Sequence, residues 1–247
     1  MNNDTKKRCA AIVLSAGQGK RMGASVQKQY IEIEGKPVIY HTLRAFQASD
    51  VIDDVVLVVG EGQEKYVRED IVQRYRFSKV KVIVPGGAER YDSVWQGLKA
   101  IRDGKLADNG QTEYVFIHDG ARMLVDEGIL ERGYETVIKY RACVAGMPSK
   151  DTVKLVDEQK FSVQTPKRKL VWNVQTPQIF EKTLITEAYS RLMREQCIDV
   201  TDDAMVVEQM MKVPVRLFEA SYENIKITTR EDLSVAESFL RRRKSSE

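Results

Sequence analysis

A glycine-rich segment with closely spaced cations, LSAGQGKRMGASVQKQY at residues 14–30, directly follows a run of apolar residues that predicts a buried strand. Exposed backbone N–H groups in such a turn, together with Lys20, Arg21 and Lys28, suit the binding of a polyphosphate. A dinucleotide-binding fingerprint does not fit, because Met22 stands where the third glycine belongs. A Walker A loop does not fit either, because Arg21 follows Gly-Lys in place of serine or threonine. A surface turn with incidental lysines is the alternative.

Two further segments place chemical groups at the ends of predicted strands. VPGGAERYDSV contains Gly86 and Gly87, which can bring the backbone close to a flat base. IHDGAR ends a strand with Asp119, whose carboxylate can face phosphates, or can pair with an arginine in a purely structural role. His118 is expected to be a packed strand residue rather than a base. Ligands of open α/β sheets bind beyond the carboxyl ends of the strands, so these loops are where we expect a ligand.

The elements that must position these groups alternate along the first 140 residues. Four apolar runs predict buried strands: CAAIVLS, DVVLVVG, KVKVIV and EYVFIHDG. Amphipathic segments between and after them predict helices: PVIYHTLRAFQAS, EKYVREDIVQRYRF, ERYDSVWQGLKAIRD and DEGILERGYETVIKYR. This alternation is typical of a parallel sheet covered on both faces. We therefore predict an α/β fold with a Rossmann-like, mostly parallel sheet, helices on both of its faces and an added β-hairpin arm.

The hairpin is predicted where the alternation breaks, after about Val144. DTVKLVDEQKFSVQTP has alternating apolar residues and a polar turn at residues 157–160, and we place the arm at about 149–170 of a single domain spanning 1–247. Beyond it, KTLITEAYSRLMREQ and TDDAMVVEQMM are predicted helices, and VPVRLFEA and NIKIT are predicted strands. A last helix begins at TTRE, where Thr228 and Glu231 have capping-box spacing. The basic end RRRKSSE is predicted to be a frayed, solvated tail.

Composition narrows the classes of protein that fit. Apolar residues make up 43% and charged residues 30% of the 247 residues, and the net charge of +3 is too small to indicate nucleic acid. No apolar run approaches the roughly 18 residues of a membrane span, and the first residues lack a signal-peptide core, so we expect a cytoplasmic protein with no membrane partner. Cys9, Cys143 and Cys197 are widely spaced, which favours buried thiols over a metal site.

These segments, in this order, resemble the sugar-nucleotide pyrophosphorylase and cytidylyltransferase superfamily. More narrowly, they resemble the 2-C-methyl-D-erythritol 4-phosphate cytidylyltransferases of the non-mevalonate isoprenoid pathway. The resemblance runs from Ala10 to about Leu240 and rests on AGQGKRMG, KQY, PGGAERYDSV, IHDGAR, KDTVKLV, TPKRKLVWNVQTPQIF, VTDDA and NIKIT. It implies a nucleotidyltransferase in which the phosphate of a polyol attacks the α-phosphorus of CTP and pyrophosphate leaves, with Mg²⁺ or a similar divalent cation as cofactor. A phosphate monoester is mostly ionised at neutral pH, so no general base is needed.

The resemblance also implies roles for individual residues. Arg21 and Lys28 match the two catalytic cations that hold the triphosphate and the transition state. The implied nucleotide-binding residues are Ser15, Ala16, Gly17, Gly19, Gly86, Gly87, Ser93, Asp119 and Gly120. The implied polyol-phosphate residues are Arg122, Thr152, Arg168, Thr201 and Lys226. Asp119 is the implied metal ligand. As structural alternatives, Thr201 is a helix N-cap, and Lys226 lies at the end of an apolar strand, where it needs an anion.

The chain departs from the family's pattern at three positions. Gln27 and Met123 stand where the family usually has proline, and Ala88 stands where several members have an acidic residue. Glutamine gives up the fixed backbone of proline, so we expect a more mobile loop before Lys28. Without an acidic side chain at residue 88, backbone carbonyls are expected to accept from the cytosine amine and so to favour CTP over UTP.

A partner is also implied. A lone two-stranded hairpin is marginal in water, and the arm carries apolar side chains that need cover. The resemblance supplies a second copy, which would give a homodimer with interlocked arms in which Thr152 and Arg168 reach the neighbour's site. The alternative is a hairpin folded back on its own domain. For function, the alternatives are a cytidylyltransferase for another polyol phosphate such as ribitol 5-phosphate, a non-catalytic nucleotide-binding protein and, more remotely, a NAD-dependent oxidoreductase.

Overall fold

The computed structural model describes residues 6–17, 27–195 and 199–245. Its strands are β1 (Cys9–Ser15), β2 (Glu32–Ile33), β3 (Lys36–Pro37), β4 (Asp54–Val59), β5 (Val80–Pro85), β6 (Tyr114–Asp119), β7 (Ala142–Pro148), β8 (Leu155–Val156), β9 (Ser162–Gln164), β10 (Trp172–Glu181) and β11 (Arg216–Glu219). Its helices are α1 (Val38–Ala48), α2 (Glu64–Tyr66), α3 (Arg90–Arg102), α4 (Glu127–Tyr140), α5 (Lys182–Leu192), α6 (Asp203–Met211) and α7 (Arg230–Lys244).

The central sheet has seven strands in the order β11-β7-β10-β6-β1-β4-β5. Its neighbours pair in parallel except at β10, which runs antiparallel to both β6 and β7. Alternate residues of β1 enter two different cores, with Ala11 and Val13 in one and Ala10 and Ile12 in the other. Helices α1 and α4 pack in the first core and α3, α5 and α6 in the second, which confirms the predicted mostly parallel α/β sheet with helices on both faces.

Register at the carboxyl edge of this sheet decides which loops become neighbours. Leu14 of β1 pairs with Asp119 of β6, and Ser15 pairs with Val59 of β4. Val59 in turn pairs with Pro85 at the end of β5. The glycine-rich loop after β1, the PGGAE loop after β5 and the DGAR turn after β6 therefore all leave the sheet at one edge, with the end of β4 between the first two.

Several predicted elements differ in the structure. NIKIT is not a strand: the described chain there forms no ladder and is held by single bonds such as the one from the Ile227 N–H to the carbonyl oxygen of Ala121, 2.9 Å. The segment after α2 is a π-helical turn over Val67–Gln73 rather than a continuous α-helix. The capping box of α7 lies one residue later than predicted and joins Thr229 and Asp232. Strands β7 and β10 were not anticipated.

The basic C-terminal segment was predicted to be a frayed tail, and this prediction is wrong for the residues up to Ser245, which are part of a helix and its C-cap. Helix α7 continues to Lys244, and its last turn forms ion pairs with three separate segments of the chain, which contribute Glu34, Asp126 and Glu223. Arg241 and Lys244 contact the carboxylate of Glu34 at 3.1 and 3.0 Å, and Arg243 contacts Glu223 at 3.2 Å. Each exposed pair stabilises little by itself, but together they fix the end of α7 against the turns that flank it.

The predicted arm is a short hairpin. It leaves the carboxyl edge between β7 and β10, and β8 and β9 pair antiparallel around a turn in which the N–H of Lys160 donates to the carbonyl oxygen of Asp157, 3.0 Å. Its apolar side chains are exposed: Leu155, Val156, Phe161 and Val163 are 46 to 68% accessible. The alternative in which the hairpin folds back on its own domain is therefore wrong.

Two other expectations concern the rest of the chain. Cys9 and Cys143 are fully buried, and burial raises the pKa of both thiols, that of Cys9 to about 12, while Cys197 lies outside the described residues. Within residues 6–17, 27–195 and 199–245, no helix combines the length and the hydropathy required to cross a membrane.

Candidate functional site

Two adjoining clefts open at the carboxyl edge of the sheet. The larger cleft, about 590 Å³, is lined by Leu14, Ala16, Gly17, Lys28, Gly87, Ala88, Glu89, Arg90, Ser93, Asp119, Ala121 and Lys226. The smaller cleft, about 250 Å³, is lined by Arg90, Asp119, Arg122, Val174, Gln175, Thr176, Gln178, Thr201, Asp202 and Lys226. Arg90, Asp119 and Lys226 line both, so the two clefts meet at one cluster of charges.

The glycine-rich loop enters the larger cleft through Ala16 and Gly17. Ser15 is buried behind them, and its carbonyl oxygen accepts a hydrogen bond within the protein. Gly19 and Arg21, predicted to bind the nucleotide and to stabilise the transition state, lie outside the described residues, so their roles stay predictions.

Lys28, the second predicted catalytic cation, lines the larger cleft from a 3₁₀ turn over Lys28–Tyr30. The buried amide of Gln29 ties this turn to the first loop, because its Nε2 donates to the carbonyl oxygens of Ser15 at 2.8 Å and Gly17 at 3.2 Å. Tyr30 anchors the other side of the turn by donating its hydroxyl hydrogen to Oε1 of Gln63, 3.1 Å. The sequence analysis did not identify Gln29 as a functional residue. The feature that could have indicated it is an uncharged amide side chain directly beside the predicted catalytic lysine.

Gln27, which replaces the family's proline, has φ −63° and ψ 138°. A proline ring would impose a φ close to this value, so the backbone before Lys28 has a conformation that proline would also allow. The side chain contributes a contact that proline lacks, because its Oε1 accepts from Nε2 of Gln29 at 2.6 Å. Met123, at the second missing proline, is buried in a small apolar cluster that also contains Ile33 and Ile227.

The PGGAE loop is shaped by contacts within the protein. A Cβ added to Gly86 would lie 2.5 Å from Cβ of Ala16 and 2.7 Å from Oγ of Ser93, so only glycine allows the two loops to approach this closely. Ser93 closes the loop by accepting from the N–H of Gly87 at 3.1 Å and donating to the carbonyl oxygen of Glu89 at 3.2 Å. Gly87 and Ser93 line the larger cleft, whereas Gly86 lies behind them.

Asp119 is nearly buried, and each of its oxygens contacts a cation. Oδ1 accepts from Nε of Arg90 at 3.2 Å, and Oδ2 lies 2.7 Å from Nζ of Lys226. Burial by itself would raise the pKa of this carboxyl, but the charges of Arg90 and Lys226 outweigh burial and hold the pKa well below its usual range. The carboxylate therefore stays ionised at neutral pH, and Lys226 has the anion that its position requires.

Arg90 is the second residue that sequence reasoning missed. Besides Asp119, it contacts Asp203 of α6 through two parallel hydrogen bonds, from Nη1 and Nη2 to the two carboxylate oxygens, 2.9 and 2.8 Å. The signal in the sequence was an arginine one residue after the PGGAE loop, where a helix begins.

His118 is fully buried between two hydrogen-bond partners, as expected for a packed strand residue. Its Nε2 faces the carbonyl oxygen of Arg122 at 3.1 Å, so Nε2 carries the hydrogen, and its Nδ1 accepts from the hydroxyl of Thr176 at 3.1 Å. Burial lowers the pKa of His118 to about 4, so the ring is neutral at pH 7. The same hydroxyl accepts from the N–H of Asp119, which fixes the start of the DGAR turn.

The predicted polyol-phosphate residues divide into two groups. Arg122, Thr201 and Lys226 line the smaller cleft, where burial lowers the pKa of Arg122, and its Nη1 donates to the carbonyl oxygen of Asn224, 2.8 Å. Thr201 is exposed and is not an N-cap, because Asp202 caps α6 by accepting from the N–H of Met205.

The second group lies apart from both clefts. Thr152 and Arg168 are exposed residues of the arm and line neither of them. Gly120, which was predicted to bind the nucleotide, also lines neither cleft. It is buried within the DGAR turn, where its carbonyl oxygen accepts from the hydroxyl of Thr42 at 2.9 Å.

The charges of the clefts define what this edge can do chemically. Within the described parts of the chain, no group of three His, Cys, Asp or Glu side chains is placed to hold a metal ion. The larger cleft offers Lys28 and backbone groups of two glycine loops, and the smaller offers Arg122, Lys226 and a hydroxyl. Such a pair of cationic clefts, joined at one ionised carboxylate, suits two phosphorylated ligands bound side by side.

Comparison with known proteins agrees with this geometry. A 2-C-methyl-D-erythritol 4-phosphate cytidylyltransferase of Lachnospira eligens is 46% identical to this chain over 232 residues, which cover 94% of this chain and 98% of the relative. One from Lachnoclostridium phytofermentans is 44% identical, covering 95% and 97%. The crystal structure of the 4-diphosphocytidyl-2C-methyl-D-erythritol synthase of Anaerococcus prevotii superimposes with a TM-score of 0.81 at 33% identity, covering 96% and 97%.

The family match extends over almost the whole chain. Residues 9–242 match the pattern of one family, and this span includes both glycine loops, the DGAR turn, the arm and Lys226. Both clefts are therefore built from residues inside the matched span. The chain belongs to the 2-C-methyl-D-erythritol 4-phosphate cytidylyltransferase family.

Proposed function

We propose that the protein transfers CMP from CTP to 2-C-methyl-D-erythritol 4-phosphate, giving 4-diphosphocytidyl-2-C-methyl-D-erythritol and pyrophosphate. The observation that carries this proposal is the junction of the two clefts at Asp119, Lys226 and Arg90. A nucleoside triphosphate in the larger cleft and a polyol phosphate in the smaller one would bring the attacking oxygen and the α-phosphorus together at that junction.

The mechanism we propose is an in-line displacement without a general base. The substrate's phosphate arrives ionised, its oxygen forms the new bond to the α-phosphorus, and the bond to the bridging oxygen of pyrophosphate breaks. The only histidine near the junction in the described chain, His118, is buried and neutral, with both nitrogens engaged. The protein's contribution is then positioning and charge: Lys28, with Arg21, neutralises the triphosphate, while Arg122 and Lys226 orient the attacking phosphate.

Selection of cytosine is proposed to come from the PGGAE loop. Gly87, Ala88 and Glu89 line the larger cleft, and Ala88 has no side-chain polar group to offer a base. Backbone carbonyls there can accept from the amine of cytosine, whereas the carbonyl of uracil at the same ring position has no hydrogen to donate.

The first test is substrate choice. Pyrophosphate release should be fastest with CTP and 2-C-methyl-D-erythritol 4-phosphate, and strongly reduced when UTP or ATP replaces CTP, because neither base presents the amine in the same place. Reactions without polyol phosphate serve as controls. Faster turnover of ribitol 5-phosphate would indicate the neighbouring cytidylyltransferase activity, and binding of CTP without turnover of any polyol phosphate would indicate a non-catalytic protein.

The second test concerns the triphosphate contact. Lys28→Ala should reduce kcat/KM by roughly 10²-fold or more, as expected for removal of one preorganised charge from a transition state. The matched control is Lys139→Ala, which changes an exposed lysine of α4 that lines neither cleft and should leave kcat/KM unchanged. Steady-state kinetics of both variants at varied CTP measure the difference. Equal activity of Lys28→Ala and the control would contradict the assignment, and Arg21→Ala provides an independent check of the same clamp.

We also propose that the reaction uses Mg²⁺ or a similar hard divalent cation, with Asp119 as its protein ligand. The donor set fits, because Mg²⁺ commonly takes one carboxylate and completes its shell with substrate phosphates and water. Both Asp119 oxygens contact cations, yet an ionised carboxylate has further lone pairs that remain usable. When bound, the cation would offset negative charge on the phosphates as pyrophosphate leaves.

The third test removes the cation and its ligand separately. Excess EDTA should abolish CMP transfer, and adding Mg²⁺ back should restore it. Asp119→Asn, which keeps the size of the side chain but removes the charge, should raise the Mg²⁺ concentration needed for half-maximal rate and lower kcat. Full activity in EDTA would contradict the requirement for a cation. An unchanged Mg²⁺ dependence in Asp119→Asn would contradict the assignment of Asp119 as the protein ligand.

We further propose a homodimer whose arms interlock across a two-fold axis. The exposed apolar side chains of the arm require cover, and a second copy of the same arm offers a complementary apolar surface. Thr152 and Arg168 line neither cleft of their own chain, which supports a role in the partner's smaller cleft. Each complete site would then combine Lys28 and Lys226 of one chain with arm residues of the other.

The fourth test is complementation between inactive chains. Thr152→Ala/Arg168→Ala chains mixed with Lys28→Ala chains should regain activity after subunit exchange, up to one competent site per heterodimer. Each variant incubated alone is the control, and sedimentation measures the assembly. A monomer at working concentration would contradict the dimer. No recovery after demonstrated exchange would show instead that the arm residues act within their own chain.

A further inference from the structure

Arg90 begins α3 directly after the PGGAE loop, and all three of its guanidinium nitrogens are engaged. Nε donates to Oδ1 of Asp119 at 3.2 Å, while Nη1 and Nη2 donate to the two oxygens of Asp203 at 2.9 and 2.8 Å. One rigid, planar group therefore spans two carboxylates from different elements of the fold.

Asp203 gives this contact a fixed anchor. It is fully buried as the first residue of α6 and also accepts a hydrogen bond from the hydroxyl of Tyr189. The N–H of Ala204 donates to Oε1 of Gln178 at 2.9 Å, which ties the start of α6 to β10. Because Asp203 cannot move easily, its bidentate contact fixes the plane of the guanidinium and thereby the direction of Nε.

From this geometry we propose that Arg90 is a positioning residue of the CMP transfer reaction, which holds the Asp119 carboxylate at the junction of the two clefts and uses Asp203 as its anchor. The inference rests on the proposed function.

The need for such a residue follows from the other partner of Asp119. Lys226 contacts Oδ2 of Asp119 from a segment that belongs to no strand, and it also lines the smaller cleft. A phosphate dianion arriving there competes with Asp119 for the Lys226 ammonium. If Lys226 turns to the phosphate, Arg90 still neutralises Asp119 and keeps it in place, so the nearly buried carboxylate is never left without a partner.

Lysine cannot substitute for arginine in this role. A single ammonium at the end of a flexible chain has no planar fork, so it cannot hold both oxygens of Asp203 and reach Asp119 in a fixed direction. Arg90→Lys therefore keeps the charge but releases Asp119, whereas Arg90→Gln removes both the charge and the fork.

A double-mutant cycle on kcat/KM tests the inference. Arg90→Gln should lower kcat/KM for CMP transfer by roughly 10- to 100-fold in the native background, and by less than about threefold when Asp119 is already replaced by Asn, because the effect of Arg90 passes through Asp119. Arg90→Lys should lose most of the same activity. The control is Arg102→Gln, an exposed arginine of α3 that pairs with Asp103 and should change kcat/KM in neither background.

The cycle separates positioning from a purely structural role. Thermal unfolding of each variant shows whether it is folded, and the kinetics are compared between folded samples. The inference would be overturned if the losses in kcat/KM from the two substitutions multiplied in the double variant, or if Arg90→Gln kept a native-like kcat/KM. Neither result would contradict the proposed function. If neither Arg90→Gln nor Arg90→Lys folds, Arg90 is a requirement of the fold and the inference is overturned as well. Absence of CMP transfer by the unmodified protein would overturn the proposed function, and this inference with it.

Discussion

The nearly buried carboxylate of Asp119 is the constraint on which the rest of the site depends. An ionised group taken out of water is costly unless cations and hydrogen-bond donors replace the solvent, and breaking such a pair costs roughly 3–5 kcal/mol. Here the replacements come from two places: Arg90 from α3 and Lys226 from the segment before α7. The hydroxyl of Thr176 from β10 holds the backbone instead, because it accepts from the N–H of Asp119. Satisfying one charge thus brings α3 and the segment before α7 together at the end of β6.

The antiparallel strand β10 makes this convergence possible. It enters the sheet between β6 and β7 after the arm, so its first half lies at the same edge as the end of β6. Thr176 then lies beside Asp119 and His118, and Gln175 lies beside Asn224, whose side chain donates to it at 3.0 Å. The smaller cleft is therefore a product of one strand that runs against the direction of its neighbours.

The arm and the C-terminal helix show two ways of dealing with surface that the sheet does not bury. Helix α7 covers a small apolar cluster, and its basic last turn is neutralised by Glu34, Glu223 and Glu237. Glu223 lies three residues before Lys226, so these ion pairs also hold the segment that carries the lysine. The arm instead leaves Phe161 and Val163 exposed on the single chain, and exposed apolar side chains grouped in this way are typical of a surface that another molecule covers.

The α/β class and the parallel strands β1, β4, β5 and β6 could be predicted from the amino-acid sequence, because continuous apolar runs alternating with amphipathic segments leave few other arrangements. The sequence also located the glycine loops, Asp119 and the turn of the arm, since glycine spacing, strand-end carboxylates and alternating patterns are local signals. It missed β7 and β10, which begin or end in polar or proline-containing stretches, and it assigned a strand to NIKIT, where apolar residues pack without a ladder.

Which side chains come into contact depends on the complete fold. One partner of Asp119 is Arg90, 29 residues earlier, and the anchor of Arg90 is Asp203, 113 residues later. No local pattern in the sequence encodes either separation. Likewise, Gln29 supports the turn over Lys28–Tyr30 only because Ser15 and Gly17 fold back beside it. Periodicity reports which face of an element is buried, whereas the pairing of charges depends on sheet register and on the desolvation cost of leaving a carboxylate alone.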